Sequence, residues 1–385
     1  MLNRTLANDD TPMTDETVVL FWREPEEDDA KTVQKILNPD TGPYMLFRRL
    51  KTPLQERFSQ LMDHNHIPRC FIHGSAHIDN YAKTLYGAGI VDFDRAHIGP
   101  YGWDLVCVLL ALGLRNPDTL DSFVDADTVD ALHRGYLKGF HNPAEPYTEF
   151  QALANVEPKK WEQSTRAYLK AEKKWAKQLK QCAIEPEHPL GLALLNEYLH
   201  NGNYTQLLQS HRVDRMAYCS GTFGRPRFLY ALLANNDDDD DIVIDIKHTK
   251  NYIIPAWPHT RFYTNAYGHQ GKRMVAAAKH FAPDCCRLES WATINGIEYW
   301  GRQVPTLNRK PAKQFTREQQ ADFAFAAGTQ LGRAHQLGPE TSAADILQHF
   351  QQHYQALVAT SQQLQSELMA AWTRYSARYQ RKDSA

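Results

Sequence analysis

The sequence predicts an α+β fold in two lobes, on three observations. Its 385 residues exceed the size at which a single core usually keeps growing. From 211 to 304 the character changes to strands, where Met216–Tyr218, Arg227–Leu233, Ile242–Lys247 and Ile297–Val304 read as a small antiparallel sheet. Helical spacing of apolar residues dominates on both sides of that block. The expected organisation is therefore a poorly packed arm (1–40), a helical part carrying loops (41–205), a β-rich part (206–305) and terminal helices that complete the helical part (306–385).

The arm is rich in Asp, Glu, Thr and Pro and has no periodic apolar face to bury. From Tyr44 to Met62 apolar residues recur at helical spacing (Leu46, Phe47, Leu50, Leu54, Phe58, Leu61), and Pro53 marks a break or restart. A short strand, Cys70–His73, leads into a loop, a hairpin and a further strand, with Gly87 and Gly89 punctuating the turn before Ile90 and Val91. Trp103–Leu114 reads as a buried helix, since it is too short to cross a bilayer and contains Asp104.

Between 150 and 205 the pattern is helical, with Lys159, Lys160, Lys170, Lys173, Lys174, Lys177 and Lys180 set among Trp161, Tyr168, Trp175 and Leu179. It reads as a solvated amphipathic helix, with a phosphate-contacting surface as the alternative. The acidic run Asn235–Asp241 lies between two strands and reads as a hairpin turn rather than a metal tract. Two long helices, about 316–336 and 342–378, close the chain on a stripe that includes Phe323, Phe325, Leu331, Ile346, Phe350, Tyr354 and Leu357.

Composition narrows the functional classes. With 43 basic and 45 acidic side chains the formal net charge is -2, so no global field attracts nucleic acid or an anionic membrane, and neither is an expected partner. The sequence leaves the oligomeric state open. The polar, acidic N-terminus lacks the basic start and apolar run of a secretory signal, and the six cysteines form no C-x-x-C pair, so the cytoplasm is the expected location. The adjacent Cys285 and Cys286 read as ordinary thiols beside a turn.

Two constellations suggest chemistry. The first is His73-Gly74-Ser75-Ala76-His77-Ile78-Asp79-Asn80, with Asp92-Phe93-Asp94 following twelve residues after Asn80. An Asn after one strand and an Asp ending the next can supply oxygen ligands to Mg²⁺ from two directions; hydrogen bonding within the turn is the alternative role. The second is Cys219-Ser220-Gly221-Thr222-Phe223-Gly224 between two strands, followed by Lys247 at the end of an alternating strand. Glycines let backbone approach phosphates closely, and a lysine on a neighbouring strand adds positive charge to the same oxygens. Alternation places Val243, Asp245 and Lys247 on one face, so Asp245 is an expected partner for Lys247.

Together these motifs resemble the aminoglycoside-phosphotransferase and protein-kinase-like superfamily, whose catalytic loop is H-G-D-x-x-x-x-N and whose metal segment is I-D-W/F-E/D. The chain looks more specifically like the bacterial family called domain of unknown function 2252, over about residues 42–375. PYMLFRRL with Arg48, GPYGWDL with Trp103 and Asp104, YWGRQ with Arg302 and Gln303, and LGRAH with Arg333 and His335 extend the resemblance. It implies a two-lobed protein-kinase-like fold, circularly permuted because Asn80 and Asp92 precede Gly221, and an ATP and Mg²⁺ site. In that site Asn80 and Asp92 would hold metal and Asp104 would be structural. Cys219, Gly221, Thr222, Phe223, Gly224, Lys247, Arg302 and Gln303 would form the nucleotide side.

The sequence also departs from the superfamily pattern. Ser75 stands where the catalytic aspartate is expected, Cys219 replaces the first loop glycine, and Ala276 stands where a helix glutamate would pair the strand lysine. A serine hydroxyl cannot accept a proton as a carboxylate does, which leaves His77, Asp79 and Asp94 as substitutes. The functional expectation is an ATP-dependent phosphotransferase acting on an unknown acceptor. The alternatives are a pseudokinase that binds nucleotide without chemistry and a nucleotidyl transferase.

Overall fold

A computed structural model of the chain describes residues 29–62, 66–120, 122–146, 148–154, 164–171, 174–220, 225–236, 240–249, 266–306, 308–338 and 340–382. The first helix, α1 (Ala30–Leu37), is capped by Asp29, whose carboxylate accepts the Thr32 N–H at 2.9 Å. The apolar run from Tyr44 splits into α2 (Gly42–Arg49) and α3 (Lys51–Leu61). The break falls at Leu50; Pro53 lies within the first turn of α3, where its missing N–H leaves no helical bond unmade.

Four short strands follow. β1 (Arg69–Ile72) pairs with β4 (His97–Pro100), and between them lies the hairpin of β2 (Tyr81–Thr84) and β3 (Ala88–Ile90). α4 (Gly102–Gly113) is buried along its whole length, as the apolar run predicts. α5 (Ala126–His141) starts at an Asp125 cap, and α6 (Gln151–Ala154) is a single turn.

Residues 165–201 form α7 (Thr165–Lys170), α8 (Lys174–Gln181), the short strand β5 (Ala183–Ile184) and α9 (Pro189–Asn201). A turn of helix, α10 (Leu207–Ser210), then leads into β6 (His211–Ser220), β7 (Pro226–Ala234) and β8 (Ile242–His248). After α11 (Gln270–Phe281) come β9 (Ser290–Ile294), β10 (Ile297–Gln303) and β11 (Asn308–Arg309), then α12 (Arg317–Leu337) and α13 (Ala343–Lys382). The main sheet is antiparallel, in the order β5-β6-β7-β8-β10-β9, and β11 joins the β2–β3 hairpin.

Each face of the main sheet is covered. On one, Leu194, Leu195, Tyr198 and Leu199 of α9 pack on Met216, Phe228, Tyr230, Ile244 and Ile246. On the other, Leu169 of α7 and Ala176 and Leu179 of α8 pack on Ala217, Leu229, Ala231 and Val243. Residues 165–201 thus have their packing partners on the sheet, although the sequence reading groups them with the helical part. The acidic run contributes to this contact as a cap: Asp240 accepts the N–H groups of Thr165 (2.6 Å) and Arg166 (3.1 Å) at the start of α7. Residues 237–239 of that run lie outside the described residues.

The largest core gathers α1–α6, the small strands, α11, α12 and α13 around α4. At its centre α5 crosses α12 through facing glycines: a Cβ on Gly139 would lie 1.9 Å from Thr329 O, and one on Gly332 2.1 Å from Tyr136 O. Among the described residues no helix is long and apolar enough to cross a membrane.

Candidate functional site

β1 delivers the chain to the 73–80 loop, which turns at Gly74 with φ +72°. A side chain there would be strained by that φ, and its Cβ would lie 2.3 Å from Arg95 O. The loop is pinned from beneath by Asp104, in the first turn of α4 and fully buried. One carboxylate oxygen accepts the His73 N–H at 2.6 Å and the other the Gly74 N–H at 2.8 Å; Trp103 Nε1 donates to Gly74 O at 3.1 Å. Burial opposes ionisation of Asp104, but His335, with Nε2 at 3.3 Å, and these N–H bonds outweigh it, so its pKa lies below the ordinary carboxylate value.

Above this pin the loop ties itself together. Ser75 O accepts from His77 N at 2.9 Å and from Asn80 Nδ2 at 3.0 Å. Asn80 is buried, and engagement of its Nδ2 leaves Oδ1 as the ligand-type atom. The β2–β3 register pairs Tyr81 with Ile90 and is continued by Val91 N donating to Asn80 O at 2.7 Å, so Asn80 and Asp92 stand at the same end of the hairpin. Asp92 is exposed, takes the left-handed conformation (φ 77°) and caps nothing with its side chain. Asp tolerates this conformation better than most residues.

The turn Phe93–Arg95 that follows is gripped by Arg273 of α11, only 2 % exposed. Its guanidinium donates to Phe93 O at 3.2 Å, to Asp94 O at 2.9 Å and to Ala96 O. Sequence reasoning missed this residue. Its one signal was position, since Arg273 shares a helical stripe with the buried Ala277 and Phe281.

Lys247 reaches the same turn from β8. Its Nζ lies 3.4 Å from Asp94 Oδ1, and an Arg225 nitrogen lies 3.6 Å from Asp94 Oδ2. Desolvation favours the neutral amine, but Asp94, then Asp92 and Asp245, outweigh it, so the Lys247 pKa is raised. The expected Asp245–Lys247 pair is corrected: both Asp245 oxygens accept from Arg227 at 2.6 Å. The cause is register, because Arg227 sits directly opposite Lys247 and each cation of this like-charged pair takes its own carboxylate. Ala276 lies on α11, half-buried against the core, and the carboxylate partner of Lys247 comes instead from Asp94.

The remaining candidates fall in several places. Gly221, Thr222, Phe223 and Gly224 lie outside the described residues; Cys219, before them on β6, is buried. Arg302 turns a guanidinium nitrogen to Cys286 Sγ at 2.9 Å, and Gln303 N donates to Arg287 O at 2.8 Å. Close to Arg302, burial pushes the Glu289 carboxyl up to about 7. Ser75 is buried within its loop. Asp79 is held between Arg48 (2.8 Å) and Arg115 (2.9 Å). His77 is buried edge-on to Tyr44 and Phe47. Its burial, with Lys51 and Arg48 nearby, holds it neutral, with a pKa well below the ordinary histidine value. Lys51 itself is buried with Nζ 3.3 Å from the Phe47 ring centroid and 3.1 Å from Cys107 Sγ, and burial brings its pKa down to about 8.

Among the described residues no three His, Cys, Asp or Glu side chains gather as a metal cage. The donors at the hairpin end still suit Mg²⁺, which takes one or two carboxylates and completes its shell with waters and phosphate oxygens. Asn80 Oδ1 and the exposed Asp92 carboxylate are hard oxygen donors of that kind.

Two family models match parts of the chain. Residues 5–146, which include the 73–80 loop and Asp92, match a model described as phosphotransferase enzyme family. Residues 194–382, which include Lys247 and the terminal helices, match the model described as uncharacterized protein conserved in bacteria, DUF2252. Searches of curated proteins and of solved structures returned no match. The chain is thus related to the bacterial family of domain of unknown function 2252 and, through its N-terminal part, to the kinase-like phosphotransferase enzyme family.

Proposed function

We propose that this relative of the phosphotransferases binds Mg-ATP between the main sheet and the 73–94 segment and transfers a phosphoryl group to an acceptor. The observation that carries the reading is the Lys247–Asp94 contact at 3.4 Å, made across 153 positions of sequence. It supports a reading in which the Lys247 ammonium serves the same site as Asp92, whose charge also raises the Lys247 pKa, so that the two constellations act together. Mg²⁺ would be held by Asn80 and Asp92 and, when bound, would neutralise charge on phosphate oxygens; Lys247 adds its charge to the same oxygens. Gly74, Asp104 and Arg273 keep the ligand-bearing backbone in place. The order of the constellations supports a circularly permuted kinase-like arrangement, in which α12 and α13 complete the helical lobe begun by α2.

A specific observation supports a second reading. Ser75 replaces the expected base, Asp79 is neutralised by two arginines, Asp94 is engaged by Lys247, and His77 is buried. The one remaining carboxylate of the segment, Asp92, is the proposed metal ligand. A loose phosphoryl-transfer transition state makes little demand on a base, so transfer at a reduced rate fits this set, as does nucleotide binding without chemistry.

Two measurements test the reading. Wild-type protein should be stabilised by Mg-ATP, by about 2.7 kcal/mol at a hundredfold excess over Kd, and Asp92→Ala and Lys247→Ala should lose most of that shift. No stabilisation of the wild type would sink the binding claim. ATP labelled at the γ or the α phosphate then separates phosphoryl from nucleotidyl transfer, with Asp92→Ala as the blank; transfer of neither label favours the pseudokinase.

A further inference from the structure

We propose that a second site, between α7, α8 and the outer edge of the main sheet, binds a small organic anion with an apolar body. The cavity there is about 810 Å³, within the range that holds a drug-sized ligand. Its floor is apolar: Leu169 and Leu179, 6 % and 1 % exposed, lie beside Met216 and Leu233. Its rim is basic, with Arg166 and Lys170 from α7, Lys180 from α8, and Arg212 and Arg215 from β6.

Two carboxylates, Asp214 and Asp241, line the cavity with these five cations. Asp241 lies 3.5 Å from Arg166 and Asp214 3.0 Å from Arg215, so both acids are already matched by arginines of the rim. An apolar floor under a cationic rim is complementary to one chemistry, an anionic head on an apolar body. The lysine-rich stretch seen in the sequence supplies two rim residues: Leu179 faces the sheet while Lys170 and Lys180 edge the cavity.

The site is separate from the one that binds nucleotide in the proposed function. Cavity residues on β6 run from Arg212 to Met216, whereas the glycine-rich loop follows Ser220 at the other end of that strand, roughly 13 Å beyond Met216 at the rise of an extended chain.

The probe is 1-naphthyl phosphate, titrated calorimetrically into the full chain, with 1-naphthol and inorganic phosphate as half-probes. Wild type and Lys247→Ala should bind 1-naphthyl phosphate with the same affinity and one-to-one stoichiometry, and each half-probe at least tenfold more weakly. The charge-reversed double variant Arg212→Glu/Lys170→Glu, both positions exposed, should bind it at least tenfold more weakly while melting as the wild type does. Absence of saturable binding overturns the proposal. So does binding lost in Lys247→Ala but kept in the charge-reversed variant, which would put the probe at the nucleotide site. Equal binding of either half-probe overturns it as well, because the cavity would then not read head and body together.

Discussion

Asp104 shows how one buried charge organises a functional loop. An isolated carboxylate in that position would be costly, yet it receives two consecutive backbone N–H groups and faces His335, so every alternative to the ionised form leaves a donor unmatched. Asp104→Asn keeps the shape but turns an amide N–H₂ towards one of those donors. We expect it to lower stability by about 3 kcal/mol and to reduce the Mg-ATP shift, read by denaturant unfolding and thermal shift. Unchanged stability would show that the loop is held from elsewhere. At this scale the sequence was only partly legible. Asp92 and Asn80 were visible because their residue types and spacing suit a metal, whereas the Arg273 clamp and the Arg227–Asp245 pair were not. A charged residue in one helix or strand carries no record of the carbonyls or cross-strand neighbour that tertiary register brings to it.

Elements came through where periodicity was sustained. β7, β8 and β10 run over seven or more residues, and α12 and α13 carry long apolar stripes, so these five were expected close to their observed bounds, whereas β6, expected over Met216–Tyr218 alone, extends over His211–Ser220. β5, with two residues, and β9, with five, are too short to show a period and were missed. The same limit hides how α5 meets α12. Gly135 and Gly139 face Gly328 and Gly332, and the Cβ positions fall against backbone carbonyls, which cannot swing aside. On intrinsic propensity alone, Gly332→Ala should stabilise α12 by about 1 kcal/mol. With its Cβ 2.1 Å from Tyr136 O it should instead force the helices apart and destabilise by about 1–3 kcal/mol. The sign of the change in melting temperature decides between them, and a rise would contradict the close approach.

For the whole molecule, composition gives a near-neutral charge balance, but not which of its 17 histidines are buried, and these set the response to acid. His97, with Nδ1 2.6 Å from Arg95 O, and His280, with Nε2 2.6 Å from Ala334 O, are each brought down to about 4 from 6.5, first by burial. The folded chain keeps them neutral while the unfolded chain takes up their protons, so the stability they contribute is complete above pH 6.5 and is lost as pH falls towards 4. Each is worth up to about 3 kcal/mol over that interval. Glu289 acts in the opposite direction. With its pKa raised by burial to about 7 from 4.5, it is protonated in the fold and ionised in the unfolded chain between those values, so its penalty grows as pH rises through that window. His73 and His77 are held neutral by burial in the same way, so the buried histidines outnumber the one glutamate, unfolding takes up protons on balance between pH 6.5 and 4.5, and stability is lost as pH falls through that range. Denaturant midpoints should therefore fall from pH 6.5 to 4.5 in the wild type. Glu289→Gln should steepen that fall, because the opposing group is gone, and should raise stability relative to wild type at pH 8. His280→Gln should flatten it. A wild-type midpoint independent of pH across this range would mean that the histidines gain their protons without unfolding, and so are not enclosed as described.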